Sequence, residues 1–287
     1  MIKQAIIPLA GLGTRLLPLT SVLPKELLPI NGKPGLEYIL DECVEAGIKE
    51  IIFIISTKKK IIKKYFYNDV FFQKMIKKKR KDKKLKLEYS KIKKFKRIIK
   101  FVYQNSPRGT GDAVLKCHKL IKSKHFLMLL PDDLIIRNNC SRAMIKLHKQ
   151  HNTSVIASKK VKRKDVSRWG IFKLTKFSKN NFLIKDVVEK PSIKSAPSNY
   201  AVIGRYILPV KIFTILKKQK PGQNGEIHIT DAIRTLIHQN NKFIGHVFAG
   251  KYLDCGTMRG YVNSFNFIIS REQLFFIIKS SGNNIKK

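Results

Sequence analysis

The chain has 287 residues, room for the core of one α/β domain, and carries 59 Lys and Arg against 19 Asp and Glu, a formal net charge of +40. No charge-free apolar run reaches the roughly 18 residues of a membrane span, and the N-terminus enters a strand without a signal-peptide pattern, so a cytoplasmic protein with no membrane partner is expected. Cys43, Cys117, Cys140 and Cys255 are scattered with no C-x-x-C pair, which removes the spacing needed for zinc or dithiol chemistry and predicts four reduced thiols.

Short apolar strands alternate with amphipathic helices through the first half, the pattern of βαβ units and a mainly parallel sheet. Residues 4–10 (QAIIPLA) predict the first strand, 34–47 a helix that stops at Gly47, and 49–56 (KEIIFIIS) the second strand. Lysine-rich runs follow at 58–64 and 74–100, and the second predicts a solvated insertion outside any cleft. So high a charge is the footprint of a nucleic-acid binder. Lysines, however, occur along the whole chain, and the runs hold few aromatics spaced for base stacking apart from Tyr89 and Phe95, so no specific nucleic-acid partner is expected.

Beyond the insertion, 97–104 predicts a strand, 111–121 a helix, and 124–133 (KHFLMLLPDD) a buried strand ending in acid. Carboxyl ends of parallel strands are where α/β sheets bind ligands. From about Thr153 the pieces shorten to strands at 153–158, 170–174, 182–190 and 200–208, covering the sheet's open edge, and a helix within 226–239. Residues 1–270 are expected to form a single domain, followed by a helix end and tail at 271–287, with 280–287 (SSGNNIKK) disordered.

The stretch from Ile6 to Thr20 (IIPLAGLGTRLLPLT) runs a strand into a glycine turn, a design that frees backbone N–H groups for phosphate. A dinucleotide fingerprint would need a third glycine where Leu16 stands, and a Walker loop would need a lysine after its second glycine. What remains is a turn bearing Arg15, with Lys25 downstream in PKELLPI, two cations suited to a polyphosphate. Asp132 and Asp133 follow a buried strand, so at least one carboxylate should emerge at the ligand end of the sheet, where it favours a hard cation such as Mg²⁺, and Asp254 follows another short strand; each of these acids serves either there or as a turn former. Glu189 and Lys190 end a strand, where they serve either to bind a hydroxyl and a phosphate or as a surface ion pair of little value. Gln104 ends another strand, and Gly109 and Gly111 follow it, placing an amide beside open backbone.

GLGTRLLP, PKELLPI, LPD, VVEKP, VIGRYIL, EIHITDAI and DCGTMRGY occur in an order and spacing that resembles the bacterial UTP:glucose-1-phosphate uridylyltransferases, from about Ile2 to Phe267. The resemblance implies a Rossmann-like three-layer α/β/α nucleotidyltransferase fold with a mixed, mainly parallel sheet, dependence on Mg²⁺, and a homo-oligomer, dimer or tetramer. It implies that Arg15 and Lys25 meet the triphosphate of UTP, Ala10 and Gly11 the nucleoside, and Gln104 and Gly109 the uracil. Asp132 and Asp254 would hold the metal. Gly170, Glu189 and Gly204 would line the hexose pocket, and Lys190 would grip the phosphate of glucose 1-phosphate. The family's glutamine loop more commonly reads Gln-Gly and then Lys-Gly-Leu-Gly-His-Ala; Asn105, Arg108, Thr110 and Asp112 depart from it here. A glucose-1-phosphate thymidylyl- or cytidylyltransferase shares most of the pattern, as do a regulatory paralogue and an RNA-associated interaction subunit. The intact Thr14–Arg15 pair argues against the paralogue, and Lys25, Asp132 and Glu189–Lys190 against a purely binding role.

Overall fold

The computed structural model describes residues 2–222 and 225–283. In chain order the strands and helices are β1 (Gln4–Pro8), β2 (Pro29–Ile30), β3 (Lys33–Pro34), α1 (Gly35–Glu45), β4 (Glu50–Ile55), α2 (Lys60–Tyr67), α3 (Asp69–Lys78), α4 (Lys83–Ile98) and β5 (Ile99–Tyr103). They continue with α5 (Thr110–Leu115), β6 (His125–Leu129), β7 (Asp133–Ile136), α6 (Cys140–His151), β8 (Ser154–Lys160), β9 (Ile171–Lys176), β10 (Asn181–Val188) and β11 (Tyr200–Pro209). The last elements are α7 (Ile212–Lys218), α8 (Ile229–His238), β12 (Phe243–Val247), β13 (Lys251–Asp254) and α9 (Met258–Asn283).

Nine strands form one sheet in the order β5-β4-β1-β6-β11-β8-β12-β10-β9. The first four run parallel, and β11 enters antiparallel to β6, so the sheet is mixed. Strands β8 to β12 of the second half join this sheet and extend it beyond β6 rather than covering its edge, while β13 pairs with β7 in a separate ribbon. Side chains alternate between two cores, as period-2 geometry requires. Ala5, Ile7, Phe53, Leu127 and Leu129 face one core with Leu36 and Ile39 of α1, Phe66 of α2 and Met144 of α6. Ile6, Ile52, Phe126 and Met128 face the other with Val114 of α5, Phe213 of α7 and Ile233 of α8. Helices thus cover both faces of the sheet, giving three α/β/α layers.

Local signals explain the boundaries. Buried Leu36, Ile39, Leu40 and Cys43 recur at helical spacing along α1, and the chain leaves that helix through Gly47 at φ +84°, a conformation glycine adopts without a Cβ clash. Asp82 caps α4 by accepting from the Leu85 N–H at 2.8 Å, and Asn139 caps α6 from Arg142 N–H at 2.8 Å.

The lysine-rich stretch at 74–100 differs from the expected solvated insertion. It contributes the end of α3 and all of α4, the helical crossover from β4 to parallel β5. Ile92 and Phe95 are buried in the first core, while Lys91 binds Glu37 of α1 at 2.8 Å, so only the outer face is solvated. Of the aromatics that could have stacked bases, Phe95 is buried and Tyr89 stacks on Phe72 at 5.3 Å. Three cysteines are buried, and all four are free. Helix α9 runs through Asn283, covering the start of the segment expected to be a disordered tail; residues 284–287 lie outside the described residues. Among the described residues no helix is long and apolar enough to cross a membrane.

Candidate active site

Three of the loops at the carboxyl ends of the parallel strands carry candidate site residues: the glycine turn after β1, Gln104 after β5, and Pro131–Asp132 after β6. In the first, Gly13 sits at φ +73°, and its carbonyl accepts from Thr20 Oγ1 at 2.8 Å, folding the loop back on itself. Ala10 is buried in the second core, whereas Gly11 is exposed with open space where a side chain would stand. The loop carrying Lys25 is fixed by its neighbour. Glu26 is buried against Lys59 at 2.8 Å, and Lys59 also donates to Leu9 O at 2.7 Å, tying the Lys25 loop, the root of the glycine turn and the end of β4 together. Burial pulls Lys59 below the usual lysine range despite Glu26. Breaking so enclosed a pair costs about 3–5 kcal/mol, which makes it a rigid strut.

From that strut Lys25 Nζ reaches Asp132 Oδ2 at 2.6 Å, and exposed Arg15 approaches the same oxygen at 3.5 Å. Burial alone would lower Lys25, but Asp132 and Glu26 outweigh it and hold the ammonium above the ordinary range. The same contacts offset the burial of Asp132 and keep its carboxyl below the usual range, so it is ionised. Its neighbour behaves oppositely. Asp133, half-buried and next to the Asp132 charge, is pushed up to about 6 by desolvation and by that charge, and it accepts from Tyr252 at 2.6 Å and from the Gly204 N–H at 2.9 Å. Asp133 therefore ties the β7–β13 ribbon to β11, and Asp132 is the carboxylate that faces the cleft.

Asp254 ends β13, directly opposite Asp133 in the antiparallel register, and the Cys255 N–H donates to Asp132 O at 2.8 Å. These bonds bring two carboxylates from distant parts of the chain to one place. A Cβ added to Gly256 would lie 2.6 Å from Asp132 Oδ2, 3.3 Å from Asp254 Oδ1 and 2.9 Å from Arg15 Nη2. The missing side chain thus leaves a cradle bounded by two carboxylate oxygens, which suits an oxygen-liganded divalent cation. Among the described residues no third His, Cys, Asp or Glu joins them, so the remaining ligands would be phosphate oxygens and water. Arg168 holds the other Asp254 oxygen at 2.9 Å; nothing in its sequence context marks it beyond lying two residues before Gly170.

Gly170, Glu189 and Lys190 come together. A Cβ on Gly170 would lie 3.2 Å from Glu189 Oε2, and the Lys190 N–H donates to Trp169 O at 3.1 Å with Lys190 at φ +44° and its side chain exposed. Gly204 sits against the Asp132 turn, where a Cβ would meet Asp133 at 2.5 Å and Leu130 at 2.6 Å. Its N–H and carbonyl are both engaged, with Asp133 and with Leu130 and Arg205, so it contributes clearance rather than free donors. Arg205 is fully buried and clamps Glu42 of α1 through Nε and Nη2 at 2.8–3.1 Å, fixing this strand beneath the site.

The glutamine loop forms a group of its own. Gly109, at φ +100°, and Gly111 press against Ile227, with Gly111 N–H to Ile227 O at 2.7 Å and Ile227 N–H to Arg108 O at 2.8 Å. Each residue that departs from the family pattern makes an internal bond. Asn105 accepts from Thr57 N–H at 3.1 Å, Thr110 accepts from Ile229 N–H at 3.2 Å, Arg108 binds Asp112 at 3.1 Å, and Asp112 accepts from Gln104 Nε2 at 2.6 Å.

The glycine turn, Arg15, Lys25 and Asp132 thus meet Asp254 of the β7–β13 ribbon near the carboxyl ends of the parallel strands, and the chain belongs to the nucleotidyl transferase family, whose model matches residues 4–271. Among curated relatives it is 37% identical over 268 residues to the UTP--glucose-1-phosphate uridylyltransferase of Mycoplasma pneumoniae, covering 92% of this chain and 91% of that one. It is 34% identical over 272 residues to the enzyme of the same name from Pseudomonas aeruginosa, covering 93% and 96%. Among solved structures, a UDP-glucose pyrophosphorylase complexed with UDP-glucose aligns with a TM-score of 0.84 at 36% identity, over 94% of this chain and all of the other. A UTP-bound enzyme from Acinetobacter baumannii aligns with a TM-score of 0.84 at 31% identity, over 96% and 99%.

Proposed function

We propose that the chain transfers the uridylyl group of UTP to glucose 1-phosphate, forming UDP-glucose and releasing pyrophosphate. The observation that carries this reading is the convergence of Arg15, Lys25, Asp132 and Asp254 around Gly256, in a chain similar along more than nine-tenths of its length to proteins named for that reaction. A phosphate oxygen of glucose 1-phosphate attacks the α-phosphorus of UTP in line, and the bond from that phosphorus to the β-phosphate oxygen breaks. A phosphate monoester is already anionic near neutral pH, so no general base is required. The barrier is repulsion between anions and the entropy of bringing them together, which fixed charge and positioning in one cleft both reduce.

Arg15 and Lys25 take the triphosphate, with the Gly11 turn supplying backbone N–H groups. Ala10 borders the nucleoside, and Gln104 and Gly109 the base. Glu189 receives sugar hydroxyls beside Gly170 and Gly204, and Lys190 holds the attacking phosphate. Asp132 and Asp254 would hold Mg²⁺, which when bound screens the phosphates and withdraws electron density from phosphorus. Lys25 and Arg168 now hold those carboxylates in ion pairs, and an entering phosphate competes for the same cations. A cytoplasmic homo-oligomer, dimer or tetramer, belongs to the same reading. The test is to offer purified protein each of the four NTPs with glucose 1-phosphate and Mg²⁺ and to measure pyrophosphate. UTP should be used in clear preference; release with another NTP alone, or none at all, would refute the reading.

A further inference from the structure

We propose that Asp112 is a positioning residue for base choice: it holds the Gln104 amide in one orientation, carbonyl toward the ligand, so that the loop accepts a base presenting an N–H donor and rejects one presenting an acceptor. This rests on residues 104–112 being the base-binding loop of the proposed reaction. Gln104 is only 4% exposed, and its Nε2 lies 2.6 Å from Asp112 Oδ2. A carboxylate paired with an arginine serves as an acceptor, so the NH₂ end of the amide faces it; a flipped amide would set oxygen against oxygen at that distance. Asp112 cannot turn to relieve such a clash. It is 2% exposed, its second oxygen is held by Arg108 at 3.1 Å, and the preceding Gly111 is pinned to Ile227.

The other end of the amide is different. Among the described residues no group donates to Gln104 Oε1, and this atom is not among those sealed from solvent. A side chain this buried, tied at its nitrogen and open at its oxygen, is a fixed acceptor. Uracil carries a donor at N3, whereas cytosine carries a bare acceptor at N3, so the two bases in one pose meet Oε1 with opposite outcomes. Sites built to hydrogen-bond a particular group discriminate strongly against an analogue that leaves the buried partner unsatisfied.

UTP and CTP share ribose and triphosphate, so comparing them isolates the base. In the wild-type protein UTP should bind at least roughly tenfold more tightly than CTP by calorimetry. Asp112→Asn keeps the shape but can accept or donate, which tolerates either orientation of the Gln104 amide. The ratio of kcat/KM for UTP over CTP should then fall by roughly tenfold or more, through KM for the nucleotide more than through kcat. An unchanged ratio with activity lowered equally for both nucleotides would reduce Asp112 to a structural role and overturn the proposal. Should the variant not fold, the wild-type protein still decides, because equal binding of UTP and CTP overturns it as well. Binding of UTP over CTP without formation of UDP-glucose would support the base lock while refuting the proposed reaction.

Discussion

Gly256→Ala is the sharpest perturbation of the site, because it adds one methyl at the point where the functional groups converge. Gly256 has no positive φ, so its backbone tolerates alanine. The new Cβ would lie 2.6 Å from Asp132 Oδ2, which must retreat by about 0.8 Å to reach van der Waals contact. Asp132 is not free to do so, since Lys25 holds the same oxygen at 2.6 Å. The exposed Arg15 can swing aside, but Asp254 Oδ1 at 3.3 Å is also bonded to the Gly256 N–H and gives little. A misplacement of about 1 Å commonly costs about 100-fold in rate, and that is the expected loss. Overpacking should lower stability by no more than about 1–3 kcal/mol, leaving a folded protein. Pyrophosphate release measured across a Mg²⁺ titration, alongside urea denaturation, reads both effects, and half-saturation should move to higher Mg²⁺. Activity within about threefold of wild type at the same Mg²⁺ would show that the Asp132–Asp254 cradle is not the reacting centre.

The two site lysines should fail differently. Lys25→Ala should weaken UTP binding measured by calorimetry without sugar phosphate, whereas Lys190→Ala should raise the KM for glucose 1-phosphate and leave UTP binding nearly intact; the reverse pattern would exchange their roles. Arg205→Met leaves Glu42 buried without its cation, with only the Ser141 N–H and hydroxyl donating to it among the described residues, and should destabilise the fold by about 3–5 kcal/mol in urea denaturation; a loss under about 1 kcal/mol would contradict the clamp. Burial and the neighbouring His148 lower His125 to about 4 from an ordinary 6.5. Between these values the unfolded chain binds the extra proton, so the contribution is complete above pH 6.5 and is lost as pH falls through 4. His125 is only half-buried, so solvent screening reduces that contribution to on the order of 1 kcal/mol. His125→Gln should flatten the stability profile in this window, and an unchanged slope would assign the acid sensitivity elsewhere.

Sequence carries the first half of this fold because β1, β4 and β6 are buried on both faces and read as continuous apolar runs, and α1 shows a clean apolar stripe ended by glycine. It hides the second half, where short strands pair over long separations, as β13 does with β7, and no local pattern records a partner more than a hundred residues away. The lysine run at 74–100 misleads for a related reason: Ile92 and Phe95 form a narrow inner stripe that the surrounding charge obscures. Motifs single out Lys25, Asp132 and Asp254, but not the convergence that Gly256 permits. Lys59 and Arg168 have no signature of their own, since one sits in a basic run and the other looks like a surface arginine. The departures in the glutamine loop look like eroded contacts in sequence, whereas in space Arg108 and Asp112 form a bonded chain to Gln104, and Asn105 and Thr110 accept from Thr57 and Ile229.

The central claim is that Asp132 sits in a centre that joins a uridylyl group to glucose 1-phosphate. Supplying UTP labelled at the α-phosphorus, with glucose 1-phosphate and Mg²⁺, to the wild-type protein and to Asp132→Asn tests it directly. In the wild type the label should pass into UDP-glucose with one unlabelled pyrophosphate per turnover, and in Asp132→Asn, still folded, transfer should fall by roughly 100- to 1000-fold. Label remaining in UTP or emerging as UMP with the wild-type protein, or undiminished transfer by the variant, would contradict it.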